Sequence, residues 1–204
     1  ARLRDHVMNP AEFNTPFPLP SVALDDPTFE KDCWRGPVWI NTAYMVIVGM
    51  ELYGFRAEAA ELAFGVADGV YRNYKIEGEF VEFYDPALDG FKDLHRKRGN
   101  LYKRITLGDK PKPDFAGWTA LANTLVIENL IGLRLNESGG LVLRPNFPAA
   151  VAGATFELEV PGKGLELSLS VGEAGATSGA VTVDGRERSF VLGPGDEVAV
   201  LSAP

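Results

Sequence analysis

The stretch "GEFVEFYDPALDG", residues 78–90, sets one acid, Glu82, between Phe80, Phe83 and Tyr84, and stiffens the exit with Asp85-Pro86. A carboxylate among aromatics costs free energy unless it is solvated, paired or used. Three uses fit the residue type: a general base, a carboxyl kept as an acid, or an ionic partner for Arg35. Glu79 and Asp85 are rivals by proximity. If the segment is extended, Glu82 and Phe80 share one face and Phe83 lies opposite, so an aromatic neighbour beside the acid is expected. A paired or partly exposed glutamate with no chemical duty is the plainer alternative.

Two further groups could complete a site. In "DCWRGPVW", residues 32–39, Trp34 and Trp39 flank Arg35-Gly36-Pro37. Indole faces match the C–H faces of sugar rings. The Arg35 fork suits carboxylates and vicinal hydroxyls. Gly36 would let a ligand approach the backbone. The same residues also read as a helix start with two core tryptophans and a salt bridge. In "DFAGWTALAN", residues 114–123, Phe115 and Trp118 open a helix, either as further wall or as core packing.

Other chemistries find little support. His6 and His95 are the only histidines and stand in no metal-ligand spacing. Cys33 has no evident base for nucleophilic work. No Gly-rich phosphate loop or serine nucleophile elbow occurs, so no cofactor and no metal are expected.

The elements that must position these residues fall into two parts. Residues 1–137 read as helical with long loops. One helix is expected from Pro37 to Gly54, apolar nearly all round and so buried between neighbours. A second, from about Arg56 to Tyr74, carries a stripe of Ala60, Ala63, Phe64, Ala67, Val70 and Tyr71. A third is expected over about 117–133. The roughly forty residues before it show little periodicity, which in a compact domain marks a functional or disordered loop. Residues 138–204 read as a small antiparallel, sandwich-like β-domain, with Asp184-Gly185 as a hairpin turn. The fold class is therefore α+β. So few helices, one apolar all round, cannot bury themselves, and partner helices are expected from a longer chain or a second subunit. The opening "ARLRDHVMNP" reads like the middle of a longer protein.

The bulk properties narrow the partners. The 204 residues carry a net charge of −8, which argues against a nucleic-acid binder. No apolar run is long enough to span a membrane. A single cysteine excludes an internal disulfide and favours a reducing, cytoplasmic compartment. The charge is uneven: residues 92–112 hold eight basic residues against Asp93 and Asp109, a local net of +6 on an acidic chain. Such a segment is either a solvated loop or a greeting for an anionic ligand.

Taken together, the segments from Asn9 to Phe55, "FVEFYDP" and "DFAGWTAL" resemble the C-terminal part of the catalytic domain of glycoside hydrolase family 63. That family includes processing α-glucosidases and mannosylglycerate hydrolases. The resemblance covers roughly residues 9–133, and W-R-G-P-x-W is its most specific block. It implies an (α/α)6 barrel and an inverting, two-carboxylate mechanism on a terminal α-linked sugar, of α-glucosidase or α-mannosidase type. It points to Glu82 as the general base. Trp34, Arg35, Gly36 and Trp39 fall where the family lines its sugar subsite, with Phe83, Tyr84, Phe115 and Trp118 as further substrate-binding candidates. The family's general acid is an aspartate in an upstream motif that has no match here, so the acid is expected from outside this stretch. "VEFYD" also loosely resembles the base segment of trehalases. A non-catalytic carbohydrate-binding fragment is the alternative from another class.

Overall fold

The computed structural model describes residues 2–160, 162 and 164–201. The chain divides into two compact units, Ala1–Leu125 and Val126–Pro204.

The first unit is built on two helices, α2 (Ile40–Leu52) and α3 (Arg56–Glu77), which pack on each other. The helix expected from Pro37 begins three residues later because Val38 is engaged elsewhere. Its N–H donates to Tyr84 O at 2.9 Å, and Tyr84 N–H donates back to Val38 O at 3.0 Å. Two backbone hydrogen bonds to the loop outweigh proline's preference for a first helical turn. Gly54 follows the helix at φ 87, a conformation that favours glycine. The stripe of α3 is buried at Ala60, Ala63, Ala67 and Val70, while Tyr71 is partly exposed. Gly69 matters here, because a side chain at that position would stand 2.7 Å from the Phe17 ring. α3 ends on Gly78 at φ 79, whose N–H donates to Tyr74 O. α2 exposes Met45 (62%) and Leu52 (81%).

A short N-terminal helix, α1 (Arg2–Val7), is tied to α3 by Arg4, whose Nη2 donates to Glu58 Oε1 at 2.7 Å. The aperiodic stretch contains one helix that periodicity did not reveal, α4 (Leu101–Leu107). It is capped by the Asn100 side chain, which accepts from Lys103 N–H at 2.9 Å, and it buries no residue. The expected third helix is present in three windings: a 3₁₀ turn over Trp118–Ala120, α5 (Leu121–Thr124), and a π-helical stretch over Leu125–Ile131. Such wide turns are rare and leave no sequence signature in periodicity.

The second unit holds two antiparallel sheets. β1 (Leu133–Leu135), β2 (Leu141–Leu143) and β7 (Val198–Leu201) form one, in the order β1-β2-β7. β3 (Thr155–Val160), β4 (Leu165–Val171), β5 (Thr177–Val183) and β6 (Arg186–Leu192) form a meander. β4 alternates cleanly, with Leu165, Leu167, Leu169 and Val171 buried and Glu166, Ser168 and Ser170 exposed. Asp184 and Gly185 both have positive φ, 48 and 76, as a type I′ hairpin turn requires. Among the described residues, no helix is long and apolar enough to cross a membrane.

Candidate active site

The loop carrying Glu82 is fixed residue by residue through its backbone groups. Phe80 O accepts from Phe115 N–H at 3.0 Å, and Val81 O from the Thr119 hydroxyl at 3.0 Å. Glu82 N–H donates to Lys112 O at 3.1 Å, and Glu82 O accepts from the Trp118 indole at 2.7 Å. Tyr84 is bridged to Val38, and Pro86 O accepts from Phe17 N–H at 2.9 Å. Buried backbone groups paired in this way hold the loop in one conformation. The motif at 114–123 thus serves the acid-bearing loop directly, through Phe115, Trp118 and Thr119.

The Glu82 side chain is 10% exposed. The rings that flank it in sequence pack on other rings. Phe80 stacks on Tyr74 at 4.7 Å and meets Tyr71 edge-on. Phe83 packs against Trp39 at 4.8 Å. The carboxylate instead meets Arg96, whose Nη2 lies 3.1 Å from both Oε1 and Oε2. Lys112 N–H donates to Oε2 in a longer contact of 3.4 Å. Arg35 is not its partner. The Arg35 guanidinium pairs with Asp32 at 2.8 Å and Glu30 at 2.9 Å, and these carboxylates, Asp32 foremost, hold it firmly protonated.

The rival acids are placed differently. Asp85 is fully buried, with Lys31 Nζ 2.6 Å from Oδ2 and Ala87 N–H on Oδ1, so it anchors the turn. Glu79 lies outside the enclosed part of the loop.

The aromatic groups form one stack. Trp34 lies on Trp39 with ring centres 3.5 Å apart and planes 7° from parallel. Trp39 also touches Phe83 and, at 5.5 Å, Trp118, which meets Phe115 at 4.6 Å. Of the tryptophan pair only Trp34 presents a face, being 47% exposed, while Trp39 is buried with its indole N–H on Cys33 O at 2.9 Å. Phe83 and Tyr84 are wholly enclosed. They hold the loop in place and present no surface in this chain. Burial pushes the Tyr84 phenol above its ordinary pKa, against hydrogen bonds with Thr119 and Val81.

Gly36 is required for a different contact from the one its type suggested. It sits at φ 137, and a side chain there would stand 2.3 Å from the Glu30 carbonyl and 2.9 Å from the Phe29 ring. The space is taken by the protein's own backbone. Cys33 lies in the core with Trp39, Phe83 and Leu94, and burial pushes its thiol pKa up, as suits an inert packing residue.

One participant lies outside every motif. Arg96 belongs to a segment that reads as solvated by composition. Asp32, buried beside Arg35, also accepts from Arg98 N–H at 3.2 Å. A buried position needs its charges balanced, and only the local excess of basic residues hinted at a partner for Glu82. Among the described residues, no group of three or more His, Cys, Asp or Glu side chains could hold a metal ion.

Known proteins share much of this stretch. Residues 1–98 match the model of the mannosylglycerate hydrolase MGH1-like glycoside hydrolase domain. A mannosylglycerate hydrolase of Thermus thermophilus is 49% identical over 69 residues, 33% of this chain and 15% of the relative. A probable mannosyl-oligosaccharide glucosidase of Schizosaccharomyces pombe is 28% identical over 130 residues, 58% of this chain and 14% of the relative. The matched stretches thus span about a seventh of those curated relatives' length. The crystal structure of an uncharacterized conserved protein from Thermus thermophilus matches 53% of this chain and 22% of that one, at 35% identity and a TM-score of 0.36. The resemblance to glycoside hydrolase family 63 read from the motifs is thereby borne out, and over residues 1–98 it is a match to the mannosylglycerate hydrolase MGH1-like glycoside hydrolase domain.

Proposed function

We propose that this chain supplies the general base and part of the sugar subsite of an inverting α-glycosidase acting on a terminal α-linked mannose or glucose. The observation that carries the proposal is the Glu82 carboxylate, enclosed, charge-balanced and held on a backbone whose N–H and C=O are both clamped. Glu82 holds a water against one face of the anomeric carbon. As the water oxygen bonds to that carbon, Glu82 takes the released proton. The glycosidic C–O bond breaks on the opposite face, and the leaving oxygen takes a proton from an aspartic acid outside this stretch. Room for the water sets the two carboxyl groups roughly 6.5–9.5 Å apart.

The exposed face of Trp34 is a platform for the sugar ring, backed by Trp39, and Arg35 contributes hydrogen-bond donors beside it. Trp118 and Phe115 act behind the site by fixing the loop. The helices of the first unit form part of an (α/α)6 barrel whose other helices cover the outward apolar residues of α2. Trp34 also borders an apolar groove of about 360 Å³ with Leu3, Phe13, Leu19 and Val46, which the same helices would close.

The test is stereochemical. The full-length protein containing these residues, incubated with α-mannosylglycerate and α-glucosylglycerate and followed by proton NMR, should release the β-anomer first. Initial release of the α-anomer would contradict the inverting assignment, and hydrolysis of neither these compounds nor oligosaccharides ending in α-linked mannose or glucose would contradict the substrate class.

A further inference from the structure

We propose that Arg96 is the positioning residue of the general base: it balances the charge of the Glu82 carboxylate and aims it within its enclosed site. The inference rests on the reading of Glu82 given above and adds a residue that the motifs do not contain.

The contact is chelating. One guanidinium nitrogen, Nη2, stands 3.1 Å from each oxygen of the carboxylate. A second nitrogen, Nη1, approaches Leu107 O only in a longer contact of 3.4 Å. Arg96 is also fixed through its own backbone, since its N–H donates to Asp109 O at 2.7 Å. The residue before it is pinned on the opposite side: His95 N–H donates to Lys31 O at 2.8 Å, and His95 O accepts from Cys33 N–H at 2.8 Å. His95 Nδ1 lies 3.0 Å from Asp109 Oδ2, and the other carboxylate oxygen, Oδ1, is paired with Arg104 Nε at 3.1 Å. Arg96 is therefore strung between the flank of the W-R-G-P-x-W block and Asp109, with its backbone held on both sides by short hydrogen bonds.

The physical need is clear. A base must be ionised before it can accept a proton, and a carboxylate nine-tenths enclosed is costly without a positive partner. The remaining contact, from Lys112 N–H at 3.4 Å, is too long to bear that load. A single nitrogen set equally far from both oxygens, on a residue whose backbone is pinned, also centres the carboxylate. The basic segment thus contributes one residue to the site, and its composition does not by itself imply an anionic ligand.

The experiment uses the full-length protein with α-mannosylglycerate and α-glucosylglycerate, measuring kcat and KM for Arg96→Ala, Arg96→Lys, Glu82→Gln and the double variant Glu82→Gln/Arg96→Ala. Misplacing a reacting group by about 1 Å costs on the order of a hundredfold, so Arg96→Ala should lower kcat about that much with KM within about threefold. Added guanidinium should restore part of the rate. Arg96→Lys, which keeps the charge, should fall in between, and carries the test if the alanine variant does not fold. In the Glu82→Gln background Arg96→Ala should cost almost nothing more. Lys103→Ala, removing a charge from exposed α4, should leave kcat unchanged. Collapse of Glu82→Gln with near wild-type kcat in both Arg96 variants would overturn the role of Arg96 alone. Full additivity in the double variant would do the same. Near-normal turnover of Glu82→Gln would instead overturn the underlying reading of Glu82.

Discussion

The Trp118 indole N–H donates to the backbone carbonyl of Glu82 at 2.7 Å, so an aromatic thirty-six residues downstream fixes the main chain of the acid, not its side chain. Trp118→Phe keeps most of the ring contact with Trp39 and Phe115 and removes this hydrogen bond. A partly buried carbonyl left unpaired costs about 1–3 kcal/mol. The variant should unfold at a lower temperature and turn over more slowly, with its KM little changed. An unaltered melting temperature and kcat would show that the bond does not hold the loop.

Gly36→Ala should destabilise the first unit by at least about 2 kcal/mol, because it combines a positive φ with a contact that cannot be relieved by moving a side chain. The obstructing atom is the carbonyl oxygen of Glu30, a residue whose own N–H is tied to Arg35 O at 2.6 Å. Chemical denaturation reads the outcome directly. A change below about 0.5 kcal/mol, the usual range of neutral surface changes, would show that the turn relaxes.

Acid should loosen the segment that carries Arg96. Burial pushes the Asp109 carboxyl upward, but its hydrogen bond with His95 and the charges of Arg104, His95 and Lys110 together outweigh this and hold it below the ordinary carboxylate range. The folded state therefore binds that proton less tightly than the unfolded chain. The stability it confers is complete above the unfolded value, about 3.9, and is lost as pH falls through the lower folded value. Asp109→Asn should flatten part of the decline in melting temperature below about pH 4. Superimposable pH–melting curves for the variant and the wild type would remove Asp109 from the account.

In the β-meander, Glu159 and Glu166 face each other across β3 and β4, and Glu166 is followed in register by Thr182 and Glu187. Like charges directly opposite on one sheet face repel. Glu166→Lys should convert that repulsion into attraction and raise stability by roughly 0.2–1 kcal/mol, an effect that fades at high salt. A loss of stability at low salt would contradict this.

Local chemistry made part of this legible from sequence. Asp184-Gly185 demands positive φ, β4 alternates, and Gly54 and Gly78 end helices, so turns, strands and helix ends could be read from residue types. The W-R-G-P-x-W block and "FVEFYDP" pointed to the candidate site. What escaped depends on tertiary pairing. Val38 gives up the helix for Tyr84, Trp39 is covered by Trp34, and the space beside Gly36 is filled by Glu30. Such choices are settled by partners brought together only in the folded chain. Arg96 was hidden for the same reason: its partner lies fourteen residues earlier, and a basic run looks alike whether one of its members is buried or all are solvated. α4 leaves no period in the sequence although Asn100 is a good cap, because seven residues are too few to show one.

The most direct measurement is single-turnover hydrolysis of α-mannosylglycerate and α-glucosylglycerate by full-length Glu82→Gln, alongside substrate affinity. Affinity close to wild type with turnover lowered about a hundredfold or more is the expected result. Turnover near that of the wild type would contradict the assignment of Glu82 as the base.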